Sequence, residues 1–319
     1  MSFGLTRVDL TEGPATREAF GDALAELGGD ERIVVVDGDV NNSTFTNHFA
    51  ERYPDRFFNA GIAESNMIGI ASGLAASGKI PVVASFSIFL LANAFDQIRM
   101  SVAFPNQNVK LVGSHAGISI GEDGPSQMAI EDVALACALP GFTVVVPADG
   151  PSTAAATKQM IEREGPTFLR CGRPKVPVLY EDDFDFQIGK ANQLREGDDV
   201  AIIADGIMVA MALDAAEALA QDGIAARVID MHTVKPVDEA AIVKAARETQ
   251  AIVVAEEHLA AGGLGSMVAS AVTRTVPVPM AYVNLGDCFA ESGDPDALLQ
   301  KYGLTSSAIV EAARKLTRR

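Results

Sequence analysis

A histidine, two acids and four glycines crowd into residues 113–127, which read Gly-Ser-His-Ala-Gly-Ile-Ser-Ile-Gly-Glu-Asp-Gly-Pro-Ser-Gln. Glycine loses more conformational freedom on ordering than any other residue, so a loop this rich in it is held for a purpose. It holds His115 together with the acids Glu122 and Asp123, polar groups of the kind that functional loops carry. A second polar loop, Ala60-Gly61-Ile62-Ala63-Glu64-Ser65-Asn66-Met67, puts Glu64 at the opening of a helical stretch. A carboxylate there also suits the helix dipole, so position alone does not make it functional. The third loop, residues 37–44, reads Asp-Gly-Asp-Val-Asn-Asn-Ser-Thr. Arg17 sits in the first turn of an expected helix, where the dipole disfavours a cation; that placement hints at a role beyond the helix.

Other chemically suggestive groups have plainer readings. Cys137, Cys171 and Cys288 are scattered without metal-ligand spacing. Glu256-Glu257-His258 is followed by Gly262-Gly263-Leu264-Gly265, a fragment of a dinucleotide-binding glycine pattern that lacks the full Gly-x-Gly-x-x-Gly. It is read as a structural turn opening a helix. His48 and His232 are assigned to the surface or to structure.

The elements that must carry these loops alternate from end to end. Strands are expected at Ile33–Val36, Phe57–Asn59, Val82–Ser85, Val109–Val112, Thr143–Val146 and Thr167–Leu169. Helices fall near Thr16–Leu27, Glu64–Ala76, Leu91–Val102, Ile130–Ala138 and Ser152–Arg163. Residues 172–198, with Pro174, Pro177 and the acidic run from Glu181 to Asp185, read as an exposed connector. The alternation restarts with strands Val200–Ala204, Ala226–Asp230, Ala251–Ala255 and Met280–Asn284. Its helices lie near Met208–Gln221, Glu239–Glu248, Leu264–Val272 and Ser307–Leu316. This pattern predicts an α/β protein of two parallel-sheet domains, residues 1–180 and a smaller 199–319, joined by a linker at 181–198. Ligands in such sheets gather at the carboxyl ends of strands, where all three polar loops lie.

With 319 residues, 48% of them apolar, the chain can bury a substantial core. Its longest apolar runs have the length of buried strands, not of a membrane span. A net charge of −17 argues against nucleic acid or an anionic membrane as partner, while leaving room for one basic pocket. The opening Met-Ser-Phe-Gly-Leu-Thr-Arg lacks the marks of a secretory signal, so a reduced, cytoplasmic compartment is expected.

Four segments in order carry a family resemblance: Gly-Ile-Ala-Glu-Ser-Asn-Met (61–67), Gly-Glu-Asp-Gly-Pro (121–125), Gly-Pro-Thr-Phe-Leu-Arg-Cys-Gly-Arg (165–173) and Asp-Cys-Phe-Ala-Glu-Ser-Gly (287–293). Together they resemble the C-terminal half of transketolase, a pyrimidine-binding domain followed by the transketolase C-terminal domain, over essentially the whole chain. The resemblance implies transfer of a two-carbon ketol unit from a ketose phosphate to an aldose with thiamine diphosphate. The family's Gly-Asp-Gly, which holds the diphosphate through Mg²⁺, does not occur here; Asp37-Gly38-Asp39 and Ala148-Asp149-Gly150 are poor substitutes. A split transketolase follows, in which a separate N-terminal subunit carrying Gly-Asp-Gly holds Mg²⁺ and the diphosphate. No metal ligand is expected in this chain, and self-association is expected to give a heterotetramer.

Residue by residue, Glu64 matches the family's cofactor-activating glutamate, whose carboxyl group at pyrimidine N1′ favours the 4′-imino tautomer. Among Phe86, Phe89 and Phe95, Phe89 best matches the residue that stacks on the aminopyrimidine and Phe95 lines the pocket, while a further aromatic position of the family falls on Ala92. Arg17, Ser43, His115 and Arg173 resemble the phosphate-recognition set, with His115 also counted as catalytic. Asp123 matches the aspartate that contacts a substrate hydroxyl. One departure is Gln127, where the family usually has a histidine; an amide can hydrogen-bond but cannot relay a proton near neutral pH. It makes a specialised split transketolase, acting on a branched or sulfonated sugar, a rival reading. A 2-oxo-acid dehydrogenase β subunit, 1-deoxyxylulose-5-phosphate synthase and a catalytically silent scaffold subunit are the others. The Gly-Glu-Asp-Gly-Pro loop with Arg17 and Arg173, the missing first half, and the retained Glu64 weigh against these three in turn.

Overall fold

The computed structural model describes residues 3–317 and forms three sheets. The strands are β1 (Glu12–Ala15), β2 (Ile33–Asp37), β3 (Phe57–Asn59), β4 (Ile80–Phe86), β5 (Lys110–Ser114), β6 (Thr143–Val145), β7 (Thr167–Arg170), β8 (Lys175–Pro177), β9 (Asn192–Arg195), β10 (Val200–Ala204), β11 (Ala226–Asp230), β12 (Thr233–Lys235), β13 (Ile252–Ala255) and β14 (Met280–Val283). Seven make the first sheet in the order β12-β6-β7-β5-β4-β2-β3, parallel except for β12. Five make the second, β14-β13-β10-β11-β9, parallel except for β9. β1 and β8 form a small antiparallel ribbon.

Both main sheets are covered on two faces, which is why β2 and β10 read as nearly unbroken apolar runs. Alternate residues enter different cores. Val36, Val83, Leu111 and Val144 of the first sheet join Ala201, Ile203, Ile252 and Val254 of the second in one shared core. Val35, Val82, Val112 and Leu169 pack on the other face of the first sheet, against Phe20 and Leu24. Ile202, Val228 and Val253 face a third core that also takes in Ile118, Ile120, Met128 and Ile130 of the glycine-rich loop. That loop therefore belongs by sequence to the first half and by packing to the second.

The expected strands and helices are present, and the differences have local causes. Asn192–Arg195, within the expected connector, forms the edge strand β9. Thr233–Lys235, within the expected second domain, completes the first sheet as β12. The region expected as one helix, Leu91–Val102, instead alternates π turns at Phe89–Asn93 and Ile98–Ala103 around a short α turn at Phe95–Gln97. Such widened turns displace side chains from a regular helical face. Lys110, fully buried, donates from Nζ to the carbonyls of Arg163 (2.6 Å) and Gly165 (2.8 Å) at a helix C-terminus. No helix among the described residues is long and apolar enough to cross a membrane.

Candidate active site

Four residues separated by up to 156 positions meet at the carboxyl ends of β2, β5 and β7. Arg17, in the first turn of the helix Thr16–Leu27, donates from Nη1 to the Ser43 carbonyl (2.7 Å) and from Nε to the Arg173 carbonyl (3.3 Å). The same Nη1 lies 3.4 Å from His115 Nε2. Its guanidinium carbon sits 5.1 Å from the centre of the Phe45 ring. The loop that carries Ser43 is held by Asp37, whose carboxylate accepts from Val40 N–H (2.7 Å) and from the hydroxyls of Thr44 and Thr46 (2.8 Å each). The first Asp of Asp37-Gly38-Asp39 is thus spent inside the loop.

His115 follows β5 with a φ of +58°, a left-handed conformation that a non-glycine residue keeps only where its surroundings impose it. Ser114 Oγ lies 2.8 Å from Nδ1, and the ring stacks on Phe86 at 3.9 Å and 18°. A guanidinium can only donate, so the Arg17 contact makes Nε2 the acceptor and leaves the proton on Nδ1, facing Ser114 Oγ. Burial first, then the charges of Arg17 and Arg173, push its pKa down to about 3. It is a neutral imidazole at physiological pH. Burial, then the neighbouring Arg173, also lowers the pKa of Arg17. The two guanidinium groups line one cleft and repel each other, a charge arrangement that favours an anionic ligand. Arg173 Nη1 donates to the Ile120 carbonyl (2.5 Å) and pairs with the exposed Glu122 (3.1 Å).

Phe86 links this cluster to a second group. It stacks at 6.0 Å and 10° on Phe89. Glu64 opens the helix Glu64–Ala76 and is 4% exposed. Its Oε1 accepts from Ser85 Oγ (3.1 Å) at the end of β4 and its Oε2 from Asn93 Nδ2 (3.4 Å). A buried carboxyl group with near-parallel aromatic rings close by in the chain fits a flat heteroaromatic ring bearing a basic nitrogen. Gly38 sits tightly against the same strand end, where an added Cβ would come within 3.1 Å of Ser85 Oγ. Phe95 is half-buried and packs against the shared core. Ala92 is exposed.

Asp123 is exposed and Gln127 half-buried, its amide oxygen accepting from Ser126 Oγ; neither is hydrogen-bonded to the Arg17 cluster. His48 pairs with Asp22 (2.8 Å), and His232 is buried against Phe186 with Nδ1 3.0 Å from Thr233 Oγ1. Glu256 caps the helix Leu264–Thr275, accepting from the N–H groups of Leu264 (2.6 Å) and Gly265 (2.9 Å). Gly263 leaves room for that carboxylate, since a Cβ there would lie 2.1 Å from Oε2. No cluster of three or more His, Cys, Asp or Glu able to hold a metal ion occurs among the described residues. Sequence reasoning leaves Ser85, Asn93, Ser114, Phe45 and the bridging position of Phe86 without a role. Their one signal is adjacency to named residues at strand ends.

The family model of the transketolase pyrimidine-binding domain matches residues 12–178, and that of the transketolase C-terminal domain matches 189–309. A 6-deoxy-6-sulfo-D-fructose transketolase subunit of a Clostridium species is 45% identical over 305 residues, 95% of this chain and 94% of that protein. A putative transketolase C-terminal section of Methanocaldococcus jannaschii is 41% identical, covering 92% and 94%. Human transketolase is 41% identical over 95% of this chain, which spans 49% of it. A solved split-gene transketolase, described as an inactive β4 tetramer, superimposes with a TM-score of 0.87 at 46% identity, covering 96% of this chain and 98% of that one.

Proposed function

Because the chain belongs to the transketolase family, as a pyrimidine-binding domain followed by a transketolase C-terminal domain, we propose that it is the C-terminal subunit of a split transketolase dependent on thiamine diphosphate. It transfers a two-carbon ketol unit from an anionic ketose to an aldose. The observation that carries this reading is the convergence of Ser43, His115 and Arg173 around the Arg17 guanidinium, joined through Phe86 to the neighbourhood of the buried Glu64.

Each group has a defined task. When bound, thiamine diphosphate supplies a carbon nucleophile able to take up the two-carbon unit. Glu64 holds a proton at pyrimidine N1′, and Ser85 and Asn93 keep its carboxyl group aimed. Phe89 stacks against the pyrimidine, with Phe86 beside it and Phe95 backing the pocket from the core. Arg17 and Arg173 bind the anionic end of the sugar, Ser43 adds a hydroxyl, and neutral His115 presents Nε2 as an acceptor towards a substrate hydroxyl. Asp123 and Gln127 meet sugar hydroxyls at the rim. Mg²⁺ and the diphosphate are held by an N-terminal partner subunit carrying Gly-Asp-Gly. The assembly is a cytoplasmic heterotetramer of sugar-phosphate metabolism. The solved split-gene relative, a tetramer of β chains alone, is described as inactive, which supports the need for that partner.

A second reading concerns the substrate. The Clostridium relative is named for a sulfonated ketose, and Gln127 stands where a histidine is usual. A sulfonate is tetrahedral and anionic like a phosphate, so the two arginines suit both. Mixing the purified chain with its partner and assaying xylulose 5-phosphate against 6-deoxy-6-sulfofructose as donors tests both readings. Ketol transfer with the partner and none without it is expected. Robust turnover by the isolated chain would overturn the split reading, and failure with both donors would overturn the transketolase reading.

A further inference from the structure

We infer that Glu257, in the C-terminal half, is a positioning residue for the anion-binding end of the site, acting through the turn Ile118–Ile120. The inference rests on Arg17 and Arg173 binding the anionic end of the sugar. Glu257 is 4% exposed and crosses the boundary between the halves: its Oε1 accepts from the backbone N–H of Ser119 (2.6 Å) and its Oε2 from the Ser119 hydroxyl (3.3 Å). Gly117 makes the approach possible. At φ +78°, an added Cβ there would lie 2.1–2.3 Å from the Glu257 carboxyl atoms. The clamped turn ends at Ile120, whose carbonyl receives Arg173 Nη1 (2.5 Å). Ser119, Ile120 and Pro295 wall the same cleft as Arg17, Glu122 and Arg173.

The backbone of Glu257 is fixed in turn. Arg170, paired with Asp132 (2.8 Å), donates from Nη2 to the carbonyls of Glu257 and Ala129 (3.0 Å each). On the apolar side, Ile118 and Ile120 are buried in the core that includes Leu298 and Leu299. A packed apolar side chain would fill the position of Glu257 at no greater desolvation cost. What the carboxylate adds is a fixed location for one peptide N–H, and through it for the carbonyl that orients Arg173. Glu256, its neighbour, caps a helix; Glu257 serves the sugar site.

The test is made on the full chain with its partner subunit, using ribose 5-phosphate and unphosphorylated ribose as acceptors, alongside ³¹P NMR titration of the full chain with ribose 5-phosphate. Glu257→Ala and Glu257→Asp, which withdraws the carboxylate by one methylene, are expected to raise KM for ribose 5-phosphate about tenfold and to weaken the NMR-detected binding equally. KM for ribose and kcat stay unchanged. Glu257→Gln keeps an acceptor for Ser119 N–H and restores KM to within about twofold of the native value. Should Glu257→Ala fail to fold, Glu257→Asp, which keeps a buried carboxyl group, decides alone. Unchanged KM in a folded Glu257→Asp, equal losses on both acceptors, or a Glu257→Gln as impaired as Glu257→Asp would each overturn the inference. If Arg173→Ala leaves the preference for ribose 5-phosphate intact, the anion-binding reading itself fails instead.

Discussion

Arg17→Ala removes a side chain whose roles can be separated. As a structural group it loses two hydrogen bonds to carbonyls, those of Ser43 and Arg173. Both are only part-buried, so the cost to folding is about 1 kcal/mol. As a ligand-binding group it loses a charge-assisted contact to the anionic end of the sugar, about 1.5–3 kcal/mol, or one to two decades in kcat/KM. Repulsion between Arg17 and Arg173 disappears as well, which lets Arg173 settle and puts the expected loss towards the smaller figure. Arg17→Lys keeps the charge but not the planar fork and should fall between the two. The assay compares kcat/KM for phosphorylated and unphosphorylated acceptors in the complex with the partner; only the former should suffer. A second signature is independent of turnover. The Arg17 charge is the second cause of the lowered His115 pKa, so the imidazole of Arg17→Ala should titrate above about 3, yet below its ordinary value because burial remains the largest cause. Equal losses on both acceptors, with His115 unmoved, would refute the reasoning and leave Arg17 a helix-anchoring residue.

Glu64→Gln retains size and one donor but cannot hold the acid at N1′, so cofactor C2–H exchange should slow by orders of magnitude while assembly survives; normal exchange in the folded complex would remove Glu64 from the mechanism. Gln127→His should raise activity on xylulose 5-phosphate if the native amide is tuned to another sugar. Ordinary transketolase rates in the native protein, unchanged by the substitution, would strip the position of meaning. Burial holds the pKa of His232 down to about 4, so between the unfolded value near 6.5 and that point the unfolded chain binds the extra proton and stability falls as pH is lowered. Melting curves of His232→Asn and the native protein should therefore converge, or cross, as pH drops from 7 to 4, and a constant gap would show that His232 does not titrate in this way. Asp230, Glu256 and Glu257, pushed by burial up to about 7, contribute the opposite slope to both proteins and cancel in that comparison.

Much of this architecture is legible in the sequence because long, doubly covered strands such as β2 and β10 leave an unmistakable apolar run. Short edge strands do not. Asn192–Arg195 has a polar, half-exposed pattern that no periodicity separates from a loop, and Thr233–Lys235 is too short to show any period at all. The π turns around Phe89 share the composition of an ordinary helix and differ only in hydrogen-bond register, so a regular helix is the natural expectation. At the site, Arg17, Ser43, His115 and Arg173 are accessible through resemblance, and the structure brings them together. Glu257 is not. Its partner Ser119 lies 138 residues away, and a buried acid beside Glu256 and His258 looks the same in sequence whether it caps a helix or reaches into another domain.

The strand β12 has a consequence for anyone recombining relatives of this chain. It lies antiparallel along β6, with Val234 in the shared core and Lys235 Nζ donating to the carbonyls of Cys137 (2.9 Å) and Leu139 (2.6 Å). A fragment severed in the connector would leave β6 with an open row of backbone donors and acceptors, an invitation to pair with another molecule. The two modules are therefore not detachable blocks. A chimera that takes its pyrimidine-binding half from one parent and its C-terminal half from another must inherit residues 233–235 from the parent of the first, or it will graft a foreign edge onto the sheet that carries Arg17, Glu64 and His115.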